Sequence, residues 1–269
     1  MKVNTVIFVS LSLFLCWTNV DSMRINLDFK LKYVSKLDMA EESVDDMYFG
    51  CNYLMHEEVM GRYSEEMYKG PFKEAWKEAE ECANIKIEEQ NLKEYEGLTK
   101  AHLQAICAYT DDNIYTMFNN DCRNGKKSYG SSFQFHSLHF FLTSAVQILN
   151  KHYFCHHTFR RTNHIFNVKE NETVRFGSFA STSYNRTLYD FGIKSCFEVE
   201  TCAGGFLNKL SVVDGEEEVL IPPYEMFIIR EIIVDKNKMK ALGVESCEVL
   251  YVLKSAGYKS NLNCKLMRQ

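Results

Sequence analysis

The spacing of apolar residues predicts helices in the first half of the chain. In one stretch they recur at intervals of three and four, as on the buried face of a helix: Leu138, Phe141, Leu142, Ala145 and Leu149. Similar spacing, mixed with Glu and Lys, predicts further helices over Met55–Tyr68, Phe72–Ile87 and Leu98–Tyr109. The chain up to about residue 150 is therefore predicted to be helical.

After about residue 150 the pattern changes to short segments rich in β-branched and aromatic residues, which are typical of strands. These segments are Tyr153–Phe159, Thr173–Phe179, Ser195–Cys202, Val219–Ile221, Met226–Val234 and Glu248–Leu253. Helices followed by strands indicate an α+β fold rather than alternating units around a parallel sheet. No Gly-x-Gly-x-x-Gly motif follows a strand, so a Rossmann site is not expected.

The first residues have the layout of a secretory signal peptide. Lys2 precedes an apolar run from Val6 to Leu15, and small residues near Ser22 allow cleavage. We expect a leader over residues 1–22 and one domain over residues 23–269, helical to about 150 and β-rich from about 151. The chain ends in polar and basic residues, which predicts no stable membrane anchor. The product is expected to be secreted and extracellular.

Composition narrows the classes of function. Hydrophobic residues make up 46% of the chain, enough for a packed core, and the net charge is −5. A nucleic-acid-binding protein would normally be basic, so no nucleic-acid partner is expected. Asn171 and Asn185 each begin an N-glycosylation sequon that a secreted protein could use.

Cysteines suggest disulfides. Loss of the leader removes Cys16 from the ten cysteines and leaves nine, so at least one is free or pairs outside the chain. Cys155 with Cys202 could join two β elements, and Cys51 with Cys264 would tie together the two ends of the mature chain.

One short segment carries a cluster of possible metal ligands: His152, Cys155, His156 and His157. Neighbouring side chains on a strand point to opposite faces, so at most two of these could converge. A secreted cysteine more often forms a disulfide, and no metal is expected.

Three segments carry groups that could act in one cleft. Phe159-Arg160 ends a predicted strand, Ser181-Thr182-Ser183 ends the next, and Glu216-Glu217-Glu218 begins a later one. An arginine can grip a phosphate by a two-pronged contact, and small hydroxyls can hydrogen bond to a sugar. On a strand, Glu216 and Glu218 would project from one face and Glu217 from the other. Taken singly, the three segments could instead be a surface ion pair, ordinary strand-end composition and a solvated acidic turn.

In this order, Arg, Ser-Thr-Ser and Glu-x-Glu, the chain resembles the vertebrate-type secreted or surface mono-ADP-ribosyltransferases. The resemblance covers almost the whole mature chain, in these segments: Leu37–Ala40, Ser43–Cys51, Ala105–Thr110, Phe135–Leu142, Phe159-Arg160, Phe176–Ser183 and Gly215–Pro223. It implies the ADP-ribosyltransferase fold, in which an N-terminal helical region packs on two small β-sheets that form a cleft for NAD.

The resemblance also implies roles for individual residues. Arg160 would bind the NAD diphosphate or a nearby ribose, Ser181 would position the nicotinamide ribose, and Ser183 would add to NAD binding. Glu218 would be the catalytic carboxylate, while Glu216 marks arginine-directed members and would orient the acceptor. The implied activity is transfer of ADP-ribose from NAD, as substrate, to arginine side chains of target proteins. The alternatives are an NAD glycohydrolase with water as acceptor and a secreted binding protein without turnover.

Two features differ from the usual family pattern. Arg161 stands where glycine is usual and adds a bulky cation beside Arg160. The loop Leu210–Asp214 lacks the aromatic residues that in relatives would contact the incoming target.

Overall fold

The computed structural model of the protein describes residues 34–70, 72–90, 95–152, 155–213 and 215–267. The leader predicted over residues 1–22 lies outside them. The α-helices in the described residues are α1 Asn52–Met60, α2 Phe72–Glu89, α3 Lys100–Thr110, α4 Asp112–Asn124, α5 His136–Leu149 and α6 Lys236–Ala241. Short 3-10 turns lie at Ser64–Met67, Gly125–Lys127, Asn150–His152, Tyr189–Phe191, Asn208–Leu210 and Lys265–Met267. None of the helices in these ranges is long and apolar enough to cross a lipid bilayer.

The helical predictions are confirmed for α2, α3 and α5, with small shifts at their ends. The helix predicted over Met55–Tyr68 is wrong in extent, because α1 ends at Met60. Gly61 follows it, and glycine destabilises a helix interior. Helix α4 was not predicted, because only Ile114, Phe118 and Cys122 form its buried stripe and polar residues surround them.

Helix α5 lies at the centre of the helical core. Its predicted apolar stripe is buried, but so are polar residues on its other faces, including His139. The ring of His139 is satisfied on both sides: Nδ1 lies 2.7 Å from the hydroxyl of Tyr48, and Nε2 lies 3.0 Å from the carbonyl oxygen of Val44. These hydrogen bonds allow a polar ring to be buried without an unsatisfied group. They connect α5 to the segment that precedes α1.

The second half of the described chain is mainly β-structure, which confirms the α+β class. Its strands are β2 His156–Thr162, β3 Ile165–Phe166, β4 Thr173–Val174, β5 Ala180–Ser183, β6 Ser195–Thr201, β7 Gly205–Phe206, β8 Glu218–Ile221, β9 Glu225–Ile233 and β10 Val249–Tyr258. A short strand β1, Val34–Ser35, pairs in parallel with β3. The other strands form one mixed sheet in the order β4-β9-β10-β6-β2-β5-β8-β7, in which β10 and β6 are parallel.

The sheet divides between β2 and β5. These strands share a single residue pair, Phe159 with Ser183, whereas β2 and β6 pair over seven positions. The two small sheets implied by the resemblance are thus joined at one point into an eight-stranded sheet. Arg160 lies on one side of this joint and Ser181 on the other, so the joint positions the groups of the candidate site.

The strand predicted over Thr173–Phe179 is wrong after Val174. The chain turns at Gly177, where φ is +72°, and the Ser-Thr-Ser segment lies within the next strand, β5, rather than at the end of the predicted one. The side chain of Arg175 also points into the protein, where it pairs with the carboxylate of Asp45 at 2.6 Å. Both side chains are fully buried, so this ion pair fixes the loop to the start of the described chain.

The two ends of the described chain are held together. Cys51 and Cys264 form a disulfide, and the carboxylate of Asp46 accepts a hydrogen bond from the backbone N–H of Cys264 at 3.0 Å. Asp45 accepts backbone N–H bonds from Asn261 and Leu262. Burial raises the pKa of Asp46 to about 6 despite these bonds. Adjacent carboxylates therefore anchor the C-terminal segment beside α1.

Candidate active site

Arg160 lies in the middle of β2, not at its end as predicted, because the strand continues to Thr162. Its backbone pairs with Phe197 of β6, while its guanidinium crosses to β5 and donates from Nη1 to the carbonyl oxygen of Ser181 at 2.6 Å. The ladder thus fixes the backbone, and this bond fixes the side chain across the joint of the sheet. The guanidinium also donates a hydrogen bond to Tyr115 of α4.

Ser181 and Ser183 lie on the central part of the split sheet and have different partners. The hydroxyl of Ser181 hydrogen bonds to the carboxylate of Glu218. The hydroxyl of Ser183 accepts the backbone N–H of Asn185 at 2.8 Å and donates to the carbonyl oxygen of Glu216. Ser183 therefore holds the acidic loop in the structure, and its contact with NAD stays a prediction.

Glu218 is a buried carboxylate, with only 4% of the residue exposed. It is the first residue of β8 and pairs with Ser183 across the β5–β8 ladder. Ser211 donates a hydrogen bond to its Oε2 at 3.3 Å. Burial raises the pKa of Glu218 to about 7, and the charge of Glu216 adds to this, while Ser181, Ser211 and Arg160 oppose it.

Glu216 lies close to Glu218 for a reason that differs from the prediction. Strand β8 begins at Glu218, so Glu216 and Glu217 precede it and strand alternation does not apply to them. Glu217 has φ of +47°, in the left-handed region, and its side chain is exposed. Glu216 is half-buried, and its charge acts on Glu218. The turn, rather than the pleat of a strand, separates Glu217 from its neighbours.

One wall of the cleft is formed by α3 and α4 and was not predicted from the sequence. Tyr109 and Tyr115 lie with their ring centroids 5.2 Å apart, and Asn119 donates to the hydroxyl of Tyr109 at 3.3 Å. Burial alone would raise the pKa of Tyr115, but Arg160, which lies beside it and donates a hydrogen bond to it, lowers that pKa overall. Only the Ala105–Thr110 segment pointed to this wall, since α4 was not predicted.

Arg123 brings a second guanidinium close to Arg160. Burial, and then the positive charge of Arg160, lower the pKa of Arg123. Among the described residues, neither guanidinium has a carboxylate within ion-pair distance. Two neighbouring cations, with Glu218 as a carboxylate whose charge acts on Arg160, fit a ligand that carries more than one negative charge, such as the diphosphate of a dinucleotide.

Arg161 does not enter the cleft, contrary to the expectation that it stands beside Arg160. Because adjacent strand residues point to opposite faces, its side chain lies behind β2. There it donates from Nε to the carbonyl oxygen of Arg186 at 2.8 Å and from Nη1 to the hydroxyl of Ser246 at 3.0 Å. Its guanidinium also lies 4.6 Å from the ring centroid of Tyr189. The extra cation is therefore kept apart from the candidate site.

The two disulfides proposed from the sequence, Cys51–Cys264 and Cys155–Cys202, are both formed. The thiol of Cys155 is thus not available as a metal ligand, and the neighbouring His156 hydrogen bonds to the hydroxyl of Tyr184. The structure adds the pairs Cys82–Cys107 and Cys196–Cys247. In the described part of the chain Cys122 is the free cysteine, and it is buried.

Both sequon asparagines lie in loops. Asn171 is exposed and has φ of +67°. The side-chain oxygen of Asn185 accepts hydrogen bonds from both the N–H and the hydroxyl of Thr187. Use of either sequon stays a prediction.

Brought together, these side chains have the chemistry of a site for a nucleotide sugar. The cations Arg160 and Arg123 suit a diphosphate, the Ser181 hydroxyl suits a ribose, and the buried Glu218 suits a positive charge that develops near that ribose. The structure brings Arg160, Ser181 and Glu218 together, as the sequence predicts. It adds four residues that were not predicted: Tyr109, Tyr115, Arg123 and Ser211.

Comparisons with known proteins agree with this arrangement. The sequence is 32% identical to the erythroblast NAD(P)(+)–arginine ADP-ribosyltransferase of Gallus gallus, with 87% of this chain and 76% of that protein covered. It is 34% identical to the T-cell ecto-ADP-ribosyltransferase 1 of Mus musculus, with 85% and 77% covered. Among solved structures, a mutant of the eukaryotic mono-ADP-ribosyltransferase ART2.2 in complex with NADH superposes with a TM-score of 0.70 at 29% identity. That match covers 85% of this chain and 98% of the other.

A family model extends the agreement over most of the described chain. The model described as NAD:arginine ADP-ribosyltransferase matches residues 37–242, a range that begins just before Asp45 and includes Arg160, Ser181 and all three acidic residues of the β8 turn. Fold, order of site residues and sequence similarity thus lead to the same result: the chain belongs to the NAD:arginine ADP-ribosyltransferase family.

Proposed function

We propose that this protein transfers ADP-ribose from NAD to arginine side chains of target proteins and releases nicotinamide. The observation that carries the proposal is the buried carboxylate of Glu218, held by Ser181 and Ser211 at the joint that Arg160 crosses. Family membership and the NAD complex of a structural relative support NAD as the substrate.

NAD binding is assigned to the two sides of the cleft. Arg160 and Arg123 would hold the diphosphate, because each can donate parallel N–H bonds to phosphate oxygens. Ser181 would contact the ribose that carries nicotinamide, next to Glu218. The tyrosine wall of α3 and α4 would exclude water from the side of Arg160. A site that is partly closed to water strengthens each of these charged contacts.

Glu218 would promote the departure of nicotinamide. The bond between the ribose carbon and the nicotinamide nitrogen breaks, its electron pair stays with nicotinamide, and positive charge develops on the sugar as in glycoside cleavage. An ionised carboxylate fixed beside that carbon stabilises the charge. With a pKa of about 7, Glu218 is partly ionised at neutral pH. The positive nicotinamide ring of bound NAD would favour the ionised form further.

Glu216 would serve the acceptor. A guanidinium is protonated at neutral pH and is a poor nucleophile, so it needs a partner that orients it and removes a proton. One of its nitrogens bonds to the ribose carbon and the released proton passes to Glu216. We infer that Glu216, half-buried and outside the strand, can reach a side chain that enters from solvent.

The site of action is proposed to be extracellular. The described part of the chain contains four disulfides, which persist in oxidising compartments, and several relatives are named ecto-enzymes. The predicted leader and sequons agree with this location. The partners would be arginine-bearing proteins outside the cell. The secreted chain would form one domain over residues 23–269.

Labelled NAD tests the proposal. Wild-type protein is incubated with adenine-labelled NAD and agmatine, a small guanidinium acceptor, and nicotinamide release and labelled agmatine are both measured. Glu218→Gln should lower both by about 10²–10³. Glu216→Gln should lower agmatine labelling much more than nicotinamide release. Glu217→Gln is the matched control and should change either rate by less than about twofold, because its side chain is exposed and outside the site.

Other outcomes would select the alternatives. Nicotinamide release by wild type with label only in free ADP-ribose would identify an NAD glycohydrolase. No release at all would indicate a binding protein without turnover. Equal activity of Glu218→Gln and wild type would contradict the assignment of the catalytic carboxylate.

A further inference from the structure

Arg161 is a buried cation on the face of β2 that points away from the cleft. Only 6% of the residue is exposed. Among the described residues its guanidinium has no carboxylate within ion-pair distance, and its Nη2 has no hydrogen-bond partner. Burying a charge in this way is unfavourable unless its other hydrogen bonds compensate. The hydrogen bonds that Arg161 does make therefore indicate its role in the structure.

Those contacts connect two separate segments to the back of β2. Arg161 donates from Nε to the carbonyl oxygen of Arg186, and from Nη1 to the hydroxyl of Ser246 and the sulfur of Cys247. The side chain of Arg186 extends the same link, because its guanidinium lies over the ring of Phe159 and donates to the carbonyl oxygen of Leu242 at 2.7 Å. The segment around Arg186 is thus fixed to both β2 and the turn after α6.

The other end of that segment, Ser183–Arg186, is attached to the acidic turn. The Ser183 hydroxyl donates to the carbonyl oxygen of Glu216. The backbone N–H of Tyr184 donates to the carbonyl oxygen of Glu217 at 3.2 Å. Two consecutive carbonyls of the turn are therefore held by residues that lie two and three positions before Arg186.

We propose that Arg161 is a positioning residue for the acceptor: by fixing Ser183–Arg186 from behind β2, it holds Glu216 where an arginine side chain can use it. The inference rests on the proposed function, since it needs an acceptor that Glu216 orients. Arg161 does not touch NAD or the acceptor itself. It acts through the segment that carries Ser183 and Tyr184.

Transfer should depend on this brace more than NAD cleavage does. Glu218 pairs with Ser183 in the β5–β8 ladder, but its carboxylate is also held by the hydroxyls of Ser181 and Ser211, which lie outside the braced segment. Glu216 precedes β8 and lies outside its ladder, and the Ser183 hydroxyl holds its backbone carbonyl. A misplacement of about 1 Å can lower the rate of a reaction between two aligned groups by about 10²-fold. Water, as an acceptor, needs no such alignment.

The test separates transfer from cleavage in variants of graded severity. Arg161→Gln removes the charge and most of the hydrogen bonds, and Arg161→Lys keeps the charge without the planar fork. Ser246→Ala removes only the partner of Nη1 and leaves the buried guanidinium in place. Arg230→Gln is the matched control, because Arg230 is an exposed strand arginine. Each variant is assayed for nicotinamide release without acceptor, for the fraction of ADP-ribose transferred to agmatine and for the KM of agmatine.

Arg161→Gln should lower the transferred fraction by about tenfold and raise the KM of agmatine, with nicotinamide release within about twofold of wild type. Arg161→Lys should lie between Arg161→Gln and wild type, and Ser246→Ala should show a smaller change in the same direction. Amide hydrogen exchange at Tyr184, whose N–H is bonded to Glu217, should become faster in all three. Arg230→Gln should match wild type in every measurement.

The proposal would be overturned if Arg161→Gln lowered transfer to agmatine and nicotinamide release in equal proportion, or changed neither. Arg161 would then have only a structural role. If Arg161→Gln does not fold, Arg161→Lys and Ser246→Ala decide the same question. If wild type releases no nicotinamide, the proposed function fails, whereas the brace itself is then decided by the exchange rate of the Tyr184 amide. Unchanged exchange in folded variants would reject it.

Discussion

Replacing the catalytic carboxylate should stabilise the fold, and the effect should grow with pH. Burial raises the pKa of Glu218 from 4.5 to about 7, so the folded protein favours the protonated acid. At about 1.4 kcal/mol for each pKa unit, this rise corresponds to about 3 kcal/mol. Its contribution is fully favourable below about pH 4.5 and is lost as the pH rises through about 7. Glu218→Gln removes the ionisation while keeping a side chain of the same shape.

The expected result is a gap between variant and wild type that widens with pH. At pH 8 the free energy of unfolding of Glu218→Gln should exceed that of wild type by about 3 kcal/mol, and at pH 5 by about 1 kcal/mol or less. For a domain of this size the larger difference corresponds to a rise of about 6–12 °C in Tm. Calorimetry or circular dichroism at several pH values measures it, with disulfides intact.

The comparison is controlled in two ways. Asp46, whose pKa burial raises to about 6, titrates in both proteins and cancels in the difference. Glu217→Gln, one position away and exposed, should show no gap that depends on pH. A constant difference between pH 5 and pH 8 would refute the reasoning, as would a lower stability of Glu218→Gln at pH 8. Either result would mean that Glu218 is not desolvated as its surroundings indicate.

Two further predictions concern the site and the core. The kcat/KM for nicotinamide release should fall about tenfold per pH unit below about pH 7, because the free enzyme needs ionised Glu218. Ser211→Ala removes a hydrogen bond that lowers the pKa of Glu218, so initial-rate profiles should show this fall at higher pH. An unchanged profile would contradict the role of the Ser211 hydrogen bond. Arg175→Met should lower the free energy of unfolding in urea by about 3–5 kcal/mol, because Asp45 is left as an unpaired buried charge. Lys69→Met, at an exposed ion pair, should cost less than about 1 kcal/mol, and equal losses in the two variants would show that burial does not set the cost.

The sequence was sufficient for the residues whose chemistry is unusual in their context. Arg160, Ser181 and Glu218 were identified by their order and residue types, and the structure brings them together. Apolar spacing was sufficient for α5, because a long stripe has few alternative explanations. These features are local or depend on order alone, so no knowledge of distant contacts is needed to find them.

What could not be predicted depends on contacts between distant segments. Arg175 looked like a strand residue, but its partner Asp45 lies 130 positions earlier and draws the side chain into the core. Glu216 looked like a strand residue too, yet β8 begins two residues later because the turn is held through Ser183. The direction of Arg161 required knowing that β2 continues beyond Arg160. For Arg175 and Glu216 a tertiary hydrogen bond overrides the local pattern, whereas for Arg161 the extent of the strand decides.

The bond between Cys51 and Cys264 spans 213 positions and so encloses nearly all of the described chain. Proteases preferentially cut exposed loop tips, and Val212 and Val213 form one such stretch. A single cut there would leave both fragments covalently attached, since each keeps one half of the cystine. A denaturing gel would separate the two fragments only after a reductant is added. The nicked molecule would keep both sides of its cleft together in a protease-rich fluid.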